Sequence, residues 1–229
     1  MNRDERVVGE LVSGYGRTYA AEAGIRPADT PQPLYRLLVL SLLLSARIRA
    51  SAAVAAARAP HEERLDTPRR MADADRRRRV EALGRGGYRR YDERTATLPR
   101  RGCLHSLRLR SRSATAPSCR ASAGGGDLRR LHEEAGGDTG ELKRLLQEEP
   151  GVGPAGADIF PREAQRVWPE VGPCLDGKAL DGAGRRGLPK DPRKLTEPAG
   201  DTEPAVPAAA LVRAALDKDV AEDCLQRAA

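Results

Sequence analysis

Apolar residues in this chain recur at the spacing of an α-helix, and alternation of apolar and polar residues with a period of two is almost absent. The strongest helical segment runs from Leu34 to Ala59 and is rich in Leu and Ala. A helix with so wide an apolar surface is normally buried in a domain core. The pattern predicts an all-α fold and not an α/β fold. Further helices are predicted over residues 5–22 (interrupted at Gly14 and Gly16), 68–74, 76–83, 92–98, 127–134, 139–148, 155–167, 176–186, a short stretch from 191, and 208–226.

Capping residues and prolines mark several of the predicted helix ends. Thr67 followed by Pro68 is a good helix start, because Thr caps and Pro suits the first helical position. Inside a helix, by contrast, a proline costs about 3 kcal/mol. We therefore expect a weakened fold. The prolines that fall where helices would otherwise continue are Pro99, Pro161, Pro198 and Pro207.

The balance of charged residues makes the chain basic. It contains 40 Lys and Arg residues against 33 Asp and Glu, and its net charge is +7. A basic protein is attracted to polyanions, of which phosphate backbones are the commonest. Much of the Arg also fits an ordinary solvated surface, so charge alone favours nucleic-acid binding only modestly.

Cysteine spacing and apolar runs argue against metal, redox and membrane functions. Cys103, Cys119, Cys174 and Cys224 include no Cys-x-x-Cys pair, and the histidines are isolated, so no metal site is predicted. The longest apolar stretch, Leu37 to Leu44, is too short to span a bilayer. The charged N-terminal residues are followed by no apolar run of the kind found in a secretory signal. We therefore expect a cytoplasmic protein with reduced thiols.

Residues 95–126 form an irregular, basic segment. The segment contains six arginines and no Asp or Glu, and no amphipathic period runs through it. One interpretation is a disordered basic arm that contacts phosphate. The other, which we favour, is a locally out-of-frame translation that does not encode the structure its neighbours require. Resequencing the coding DNA distinguishes the two.

A glycine hairpin lies between two predicted helices at residues 149–157, Glu-Pro-Gly-Val-Gly-Pro-Ala-Gly-Ala. Gly151 and Gly153 flank one apolar residue, Val152, so their backbone N–H groups can approach a phosphate closely. The next helix begins there, and the positive end of its dipole points at the anion. Such a site reads the DNA backbone and not the base sequence. Most Gly-x-Gly sequences are plain turns, but the flanking helices and the basic charge favour DNA binding here.

Several segments taken together resemble the endonuclease III superfamily of helix-hairpin-helix base-excision DNA glycosylases. The resemblance runs from Pro33 to Gly187, with a gap in the arginine-rich segment. The combination is fairly specific, although no single piece is. The segments that carry it are residues 149–153 (the family has Leu-Pro-Gly-Val-Gly), Leu175-Asp176 after the following helix, residues 43–47 (Leu-Leu-Ser-Ala-Arg here, Leu-Leu-Ser-Ala-Gln in the family), and residues 86–88 with 94–96 (a glycine–tyrosine and a Lys-Ala segment in the family).

The resemblance implies two helical lobes, with DNA lying across the cleft between them and a damaged base flipped into that cleft. It also implies that Asp176, which matches the family aspartate, activates the nucleophile or stabilises the oxocarbenium-like charge at C1′ of the sugar. Asp176 is also a good N-cap for a helix starting at Gly177. Contacts to the DNA backbone are expected at Gly151, Val152, Gly153, Ala155 and Gly156, and further candidate contacts are Arg47, Arg49, Tyr88 and Lys178.

Five positions depart from the family pattern. Ala155 stands where bifunctional members carry their Schiff-base lysine, so lyase activity is not supported and water is the expected nucleophile. Only Cys224 lies near the C-terminus, where many relatives have a four-cysteine loop, so we expect no iron–sulfur cluster and no other cofactor. Arg47 replaces a glutamine that some relatives insert into the duplex, and either fills that gap or holds phosphate. Lys178 stands where many relatives have His, and either binds phosphate or is simply solvated. Glu149 replaces an apolar residue and brings a negative charge to the hairpin.

Three hypotheses follow from the sequence. The first is a monofunctional DNA glycosylase in base-excision repair, with Asp176 as the catalytic carboxylate. The second is a catalytically degenerate relative that binds DNA, and the third is a helical protein whose glycines are plain turns. We expect a monomer that binds double-stranded DNA in the cytoplasm, associated with the nucleoid if the source is bacterial. The predicted organisation is an N-terminal helix and linker at residues 1–32, a glycosylase-like region at 33–187, and C-terminal helices at 188–229 that pack back on the N-terminal lobe.

Overall fold

Every regular element in the described part of the chain is a helix. A computed structural model describes residues 3–85, 127–149, 151–200 and 202–228. The all-α fold predicted from the sequence is confirmed for these residues. Tyr88, the helix predicted at 92–98 and the basic segment at 95–126 lie outside the described residues.

The helices are numbered here in chain order. Short 3-10 turns also occur at Pro169–Val171 and Glu197–Ala199. The α-helices are α1 (Arg3–Tyr15), α2 (Tyr19–Glu22), α3 (Pro31–Leu44), α4 (Ala50–Glu62), α5 (Pro68–Asp73), α6 (Arg76–Arg85), α7 (Arg129–Ala135), α8 (Thr139–Glu148), α9 (Pro154–Ala164), α10 (Gly177–Gly184), α11 (Pro192–Thr196), α12 (Ala205–Leu216) and α13 (Lys218–Ala228).

The chain divides into two compact units. One unit combines Met1–Glu22 with Pro161–Ala229, and the other is Ala23–Phe160. The division falls inside α9, whereas the sequence suggested boundaries at residues 33 and 188. The N-terminal helices and the C-terminal third of the chain therefore share one unit.

Close helix packing organises the first unit. α12 contacts α1 and α10, and α1 also contacts α13. At Gly182 of α10, a Cβ atom would lie 2.0 Å from the carbonyl oxygen of Leu211 in α12. The two backbones can approach so closely only because residue 182 has no side chain. This contact holds α10, and with it the residue that caps α10, against the core.

In the second unit, a buried carboxylate joins three helices. Asp66 accepts hydrogen bonds from Gln32 at the start of α3, from the His61 ring nitrogen in α4 at 2.8 Å, and from Arg70 in α5 at 3.1 Å. Burial by itself raises the pKa of Asp66, but the hydrogen bonds from His61, Gln32 and Arg70 outweigh burial and hold the pKa below its ordinary value. Asp66 therefore stabilises the folded unit in its ionised form.

Several helix starts predicted from capping residues are confirmed. Thr67 caps α5 by accepting from the N–H of Arg70 at 3.2 Å, with Pro68 at the first helical position. Asp191 likewise caps α11, where its carboxylate accepts from the N–H of Arg193 at 3.0 Å. Pro161 lies inside α9, so this helix tolerates a proline in its interior.

Two predictions of a continuous helix are wrong. The segment Leu34 to Ala59 is broken between α3 and α4, where the hydroxyl of Ser45 donates to the carbonyl of Leu42 at 2.7 Å. Such a side-chain bond competes with the helical ladder. The segment 208–226 is broken at Asp217, whose carboxylate accepts from the N–H of Asp219 at 2.9 Å at the start of α13.

Candidate functional site

The glycine hairpin is a tight turn that leads directly into α9. α8 ends at Glu148, and the N–H of Val152 donates to the carbonyl of Glu149 at 3.1 Å. Gly151 has a φ of +92°, in the region that glycine enters without strain. The N–H of Ala157 donates to the carbonyl of Gly153 at 3.0 Å, so helical hydrogen bonding begins immediately after the turn. Backbone N–H groups at the N-terminus of α9 are therefore presented beside the hairpin.

The hairpin residues named from the sequence differ in their exposure. Gly151, Gly153 and Ala155 are exposed, whereas Val152 is buried and anchors the turn. Gly156 is also buried, and a Cβ built on it would lie 3.6 Å from a methyl carbon of Leu42. The exposed members form the outer surface of the turn, and the buried ones fix its position.

An ion pair joins the helices on either side of the hairpin. The Lys143 ammonium of α8 lies 2.9 Å from a carboxylate oxygen of Asp158 in α9. The pair is partly exposed, so its contribution to stability is small. It joins α8 and α9 across the turn that connects them.

The loop between α3 and α4 brings arginines near the hairpin. Arg47 and Arg49 are exposed on this loop. Ser45, in the same loop, lies against the hairpin helix, because its hydroxyl oxygen is 3.8 Å from the Cβ position of Gly156. The structure thus brings two of the candidate DNA contacts and the hairpin to one part of the second unit.

The remaining candidate residues of the described chain, Asp176 and Lys178, belong to the first unit. The Lys178 ammonium is exposed and lies 3.6 Å from the carboxylate of Asp181, one turn along α10. This is the geometry of a solvated surface lysine.

Asp176 is the N-cap of α10, as its type and position predicted. One carboxylate oxygen, Oδ1, accepts from the N–H of Ala179 at 2.8 Å. The other, Oδ2, accepts a hydrogen bond from the guanidinium of Arg162 in α9. Asp176 is 5% exposed and Arg162 is 2% exposed, so this ion pair is buried. Asp176 therefore has both a local and a long-range partner.

Arg162 lies between two carboxylates. Its Nε and second terminal nitrogen donate to one oxygen of Glu163 at 3.2 and 3.0 Å. Burial lowers the pKa of Arg162, but the charges of Glu163 and Asp176 outweigh it and leave the pKa above its ordinary value. A guanidinium does not release its proton in proteins, so the cluster holds a fixed positive charge between two acidic groups.

The N-terminal helices supply the outer contacts of this cluster. The N–H of Ala20 in α2 donates to the second oxygen of Glu163 at 3.1 Å. The Tyr19 ring lies under two guanidinium groups. Its centroid is 5.7 Å from the Cζ atom of Arg162 and 4.5 Å from the Cζ atom of Arg213. Burial raises the pKa of Tyr19, and the two arginines partly oppose this. The acidic cluster is thus tied to a segment more than one hundred residues away along the chain.

Gln165 fixes the loop that leads to Asp176. Its side-chain amide donates to the carbonyl of Cys174 at 3.1 Å and accepts from the N–H of the same residue at 2.8 Å. It also donates to the carbonyl of Arg162 at 2.9 Å. One buried side chain therefore bonds both backbone polar groups of Cys174, the residue two positions before Asp176.

Sequence reasoning did not single out Arg162, Glu163 or Gln165. The sequence feature that could have identified them is a run of charged and amide residues beside the apolar Phe160 and Ala164. All of these residues are buried. Because buried charges are almost always paired, such residues require partners elsewhere in the fold. The sequence alone does not indicate where those partners lie.

A cavity of about 680 Å³ lies beside this loop in the first unit. Its lining includes Gln165, Arg166 and Glu203, and the last two form an ion pair at 3.2 Å. Burial raises the pKa of Glu203, and the nearby Arg166 opposes it. The side chain of Gln165 therefore both lines the cavity and bonds the backbone of Cys174.

The described residues offer neither a metal-binding group nor a membrane-spanning helix. In that part of the chain, no three or more His, Cys, Asp or Glu residues are grouped so that they could hold a metal ion. No described helix is long and apolar enough to cross a membrane. Comparison of the whole chain with protein-family models, with curated proteins and with solved structures found no match. Any functional conclusion therefore depends on the chemistry of these residues and on the sequence resemblance.

Proposed function

We propose that this chain is a helix-hairpin-helix DNA-binding protein of the base-excision glycosylase type, with a two-lobed helical fold. The hairpin at Gly151 to Gly153 carries the proposal: it is an exposed glycine turn that opens directly onto a helix N-terminus. The nearby exposed Arg47 and Arg49 add positive charge. The division of the chain into two compact helical units supports the two-lobed fold.

The proposed reaction is hydrolysis of the N-glycosidic bond of a flipped, damaged base, with Asp176 as the catalytic carboxylate. Departure of the base leaves positive charge on the sugar, which a nearby carboxylate stabilises. A water molecule then adds at C1′, and a proton acceptor must take up the proton that the water loses. The cluster of Arg162, Glu163 and Asp176 contains two carboxylates and one guanidinium, so it carries a net negative charge when both acids are ionised. That charge suits the stabilisation of a cationic sugar.

A second candidate function is DNA binding without catalysis. The observation that favours it is that both oxygens of Asp176 are engaged, one by the N–H of Ala179 and one by Arg162. A carboxylate with both oxygens engaged by the protein is the arrangement expected of a structural group. In that case the chain is a degenerate relative that retains only the hairpin function.

Asp176→Asn distinguishes the two functions. Asparagine is as good an N-cap as aspartate, so its oxygen keeps the cap of α10, but its amide nitrogen cannot accept the hydrogen bond that Oδ2 accepts from Arg162. Arg162 keeps Glu163 as its counter-charge, so no buried cation is left unpaired. The matched control is Asp138→Asn, the same change at the exposed N-cap of α8, where the carboxylate accepts from the N–H of Glu141 at 2.7 Å.

The measurement is release of free base from DNA duplexes that each carry one deaminated, oxidised or alkylated base. Release by the wild-type chain and by Asp138→Asn, together with no release by Asp176→Asn, is the result expected of a glycosylase. DNA affinity should be equal in all three chains. A folded, DNA-binding wild-type chain that releases no base refutes catalysis and leaves the binding function.

A further inference from the structure

Three buried polar side chains lie at the end of α9 and in the turn that follows it, and they are linked to Asp176 or to the loop before it directly or through Arg162. Arg162 bonds the carboxylate itself, Glu163 bonds Arg162, and Gln165 bonds both backbone groups of Cys174. Each of the three is at most 2% exposed. Burying so many polar groups is unfavourable unless each is paired, and here Arg162 bonds the Asp176 carboxylate while Gln165 bonds the backbone two residues before it.

We propose that Arg162, Glu163 and Gln165 form a positioning cradle that fixes the carboxylate of Asp176 for the reaction. The inference rests on the proposed glycosylase function and adds the residues that act through Asp176. Gln165 fixes the position of the loop by bonding the backbone of Cys174, and Arg162 fixes the orientation of the carboxylate by bonding Oδ2. The cap hydrogen bond from Ala179 to Oδ1 completes a three-point attachment.

The cradle has an outer anchor in the N-terminal segment. Glu163 accepts the N–H of Ala20, and the Tyr19 ring packs against the Arg162 guanidinium. Arg213 lies on the same ring and forms an ion pair with Glu22 at 2.9 Å. Arg213 therefore has its own carboxylate partner, and Arg162 is the cation that contacts both Asp176 and Glu163. The N-terminal helices thus belong to the same device as the proposed catalytic centre.

Arg162→Met and Arg162→Lys test the cradle in the full-length chain. Methionine removes the positive charge, whereas lysine keeps a buried cation but loses the fork that bonds two carboxylates at once. The matched control is Arg166→Met, the same change four residues further on. The Arg166 side chain is 57% exposed, and it pairs with Glu203 and not with Asp176.

The measurement is the rate constant of base release in a single turnover with enzyme in excess, together with the fraction of substrate that reacts. A group displaced by about 1 Å from its reacting position loses on the order of 100-fold in rate, so we expect a loss of about that size for Arg162→Met. Arg162→Lys should fall between Arg162→Met and the wild type. Arg166→Met should match the wild type, and duplex affinity should not change in any variant.

A role in stability alone gives a different result. Partial unfolding raises the total protein concentration needed to convert all of the substrate but leaves the rate constant at saturating enzyme unchanged, and that result overturns the inference. If Arg162→Met does not fold, Arg162→Lys decides, because a folded lysine variant with the wild-type rate constant also overturns it. A wild-type chain that releases no base refutes the glycosylase function itself and the cradle with it.

Discussion

Gly153→Ala tests the hairpin most directly, because it adds one methyl group at a position where the fold has room for it. Apart from Gly153 and its two chain neighbours, no atom of the described residues lies within 4 Å of the Cβ position at Gly153, and its φ lies outside the left-handed region. A Gly→Ala change at such a position stabilises a protein by about 0.4–1 kcal/mol, because the unfolded chain loses freedom. The free energy of unfolding should therefore be unchanged or slightly higher.

The same methyl group should weaken DNA binding. It projects from the exposed turn, where we expect a phosphate oxygen to approach the backbone N–H groups. A hydrogen bond to a charged group contributes about 1.5–3 kcal/mol, and the loss of one such bond at about 2 kcal/mol corresponds to roughly 30-fold in the dissociation constant.

Fluorescence anisotropy with a labelled duplex, repeated over a series of salt concentrations, measures this loss. Backbone N–H groups carry no net charge and release no counterions, so Gly153→Ala should lower affinity at every salt concentration without changing the salt slope. Arg47→Ala should instead reduce the slope by about 0.9 for one lost phosphate contact. The control is Gly9→Ala on the exposed face of α1, where a Cβ meets nothing within 4 Å and no effect on DNA binding is expected.

A Gly153→Ala chain that is folded and binds duplex DNA like the wild type would refute the reasoning. The hairpin would then be a plain turn, and its exposed N–H groups would not be a phosphate site. Loss of binding accompanied by a fall in stability would also count against it, because the structure has space for the methyl group.

Two further predictions concern stability. Gly182→Ala places a Cβ 2.0 Å from a backbone oxygen of α12, so it should lower the free energy of unfolding by about 1–3 kcal/mol in urea denaturation. Gly9→Ala in α1 is the control and should raise the free energy of unfolding by about 0.5–1 kcal/mol. Equal effects of the two changes would contradict the close helix contact. Asp66→Asn should cost about 2 kcal/mol at neutral pH, because it weakens three hydrogen bonds to a charged group. Because the pKa of Asp66 is lowered in the folded state, its contribution to stability is present above the unfolded pKa and is lost as pH falls through the folded pKa. The difference in free energy of unfolding between Asp66→Asn and the wild type should therefore shrink in urea titrations at acid pH. A difference that stays constant with pH would refute ionised Asp66 as the source of the stabilisation.

The helix starts that the sequence predicted correctly are those set by neighbouring residues. Thr67 with Pro68, Asp176 with Gly177, and Asp191 each satisfy an N–H group two or three residues further on. Capping is a short-range interaction, so the residue type and its position contain the whole signal. The helix ends at Ser45 and Asp217 were missed because the apolar residues continue on both sides of each break.

The cradle could not be predicted, because its contacts join distant parts of the chain. Arg162 and Asp176 are 14 residues apart, and Glu163 and Ala20 are 143 residues apart. Helical periodicity assigns residues to the faces of one helix and gives no information about which other helix covers each face.

The environment of Asp176 supports the catalytic role that we propose for it. Asp138 and Asp191 cap α8 and α11 from exposed or partly exposed positions, so a cap in this chain needs neither burial nor an arginine. Asp176 has both, and burying charged groups carries a desolvation penalty of several kcal/mol per ion that their mutual attraction often only balances. Stability is therefore a weak reason for a chain to place Arg162, Glu163 and Asp176 in its interior. A requirement for one carboxylate in one fixed orientation is a stronger reason, and it is the requirement that the proposed reaction imposes.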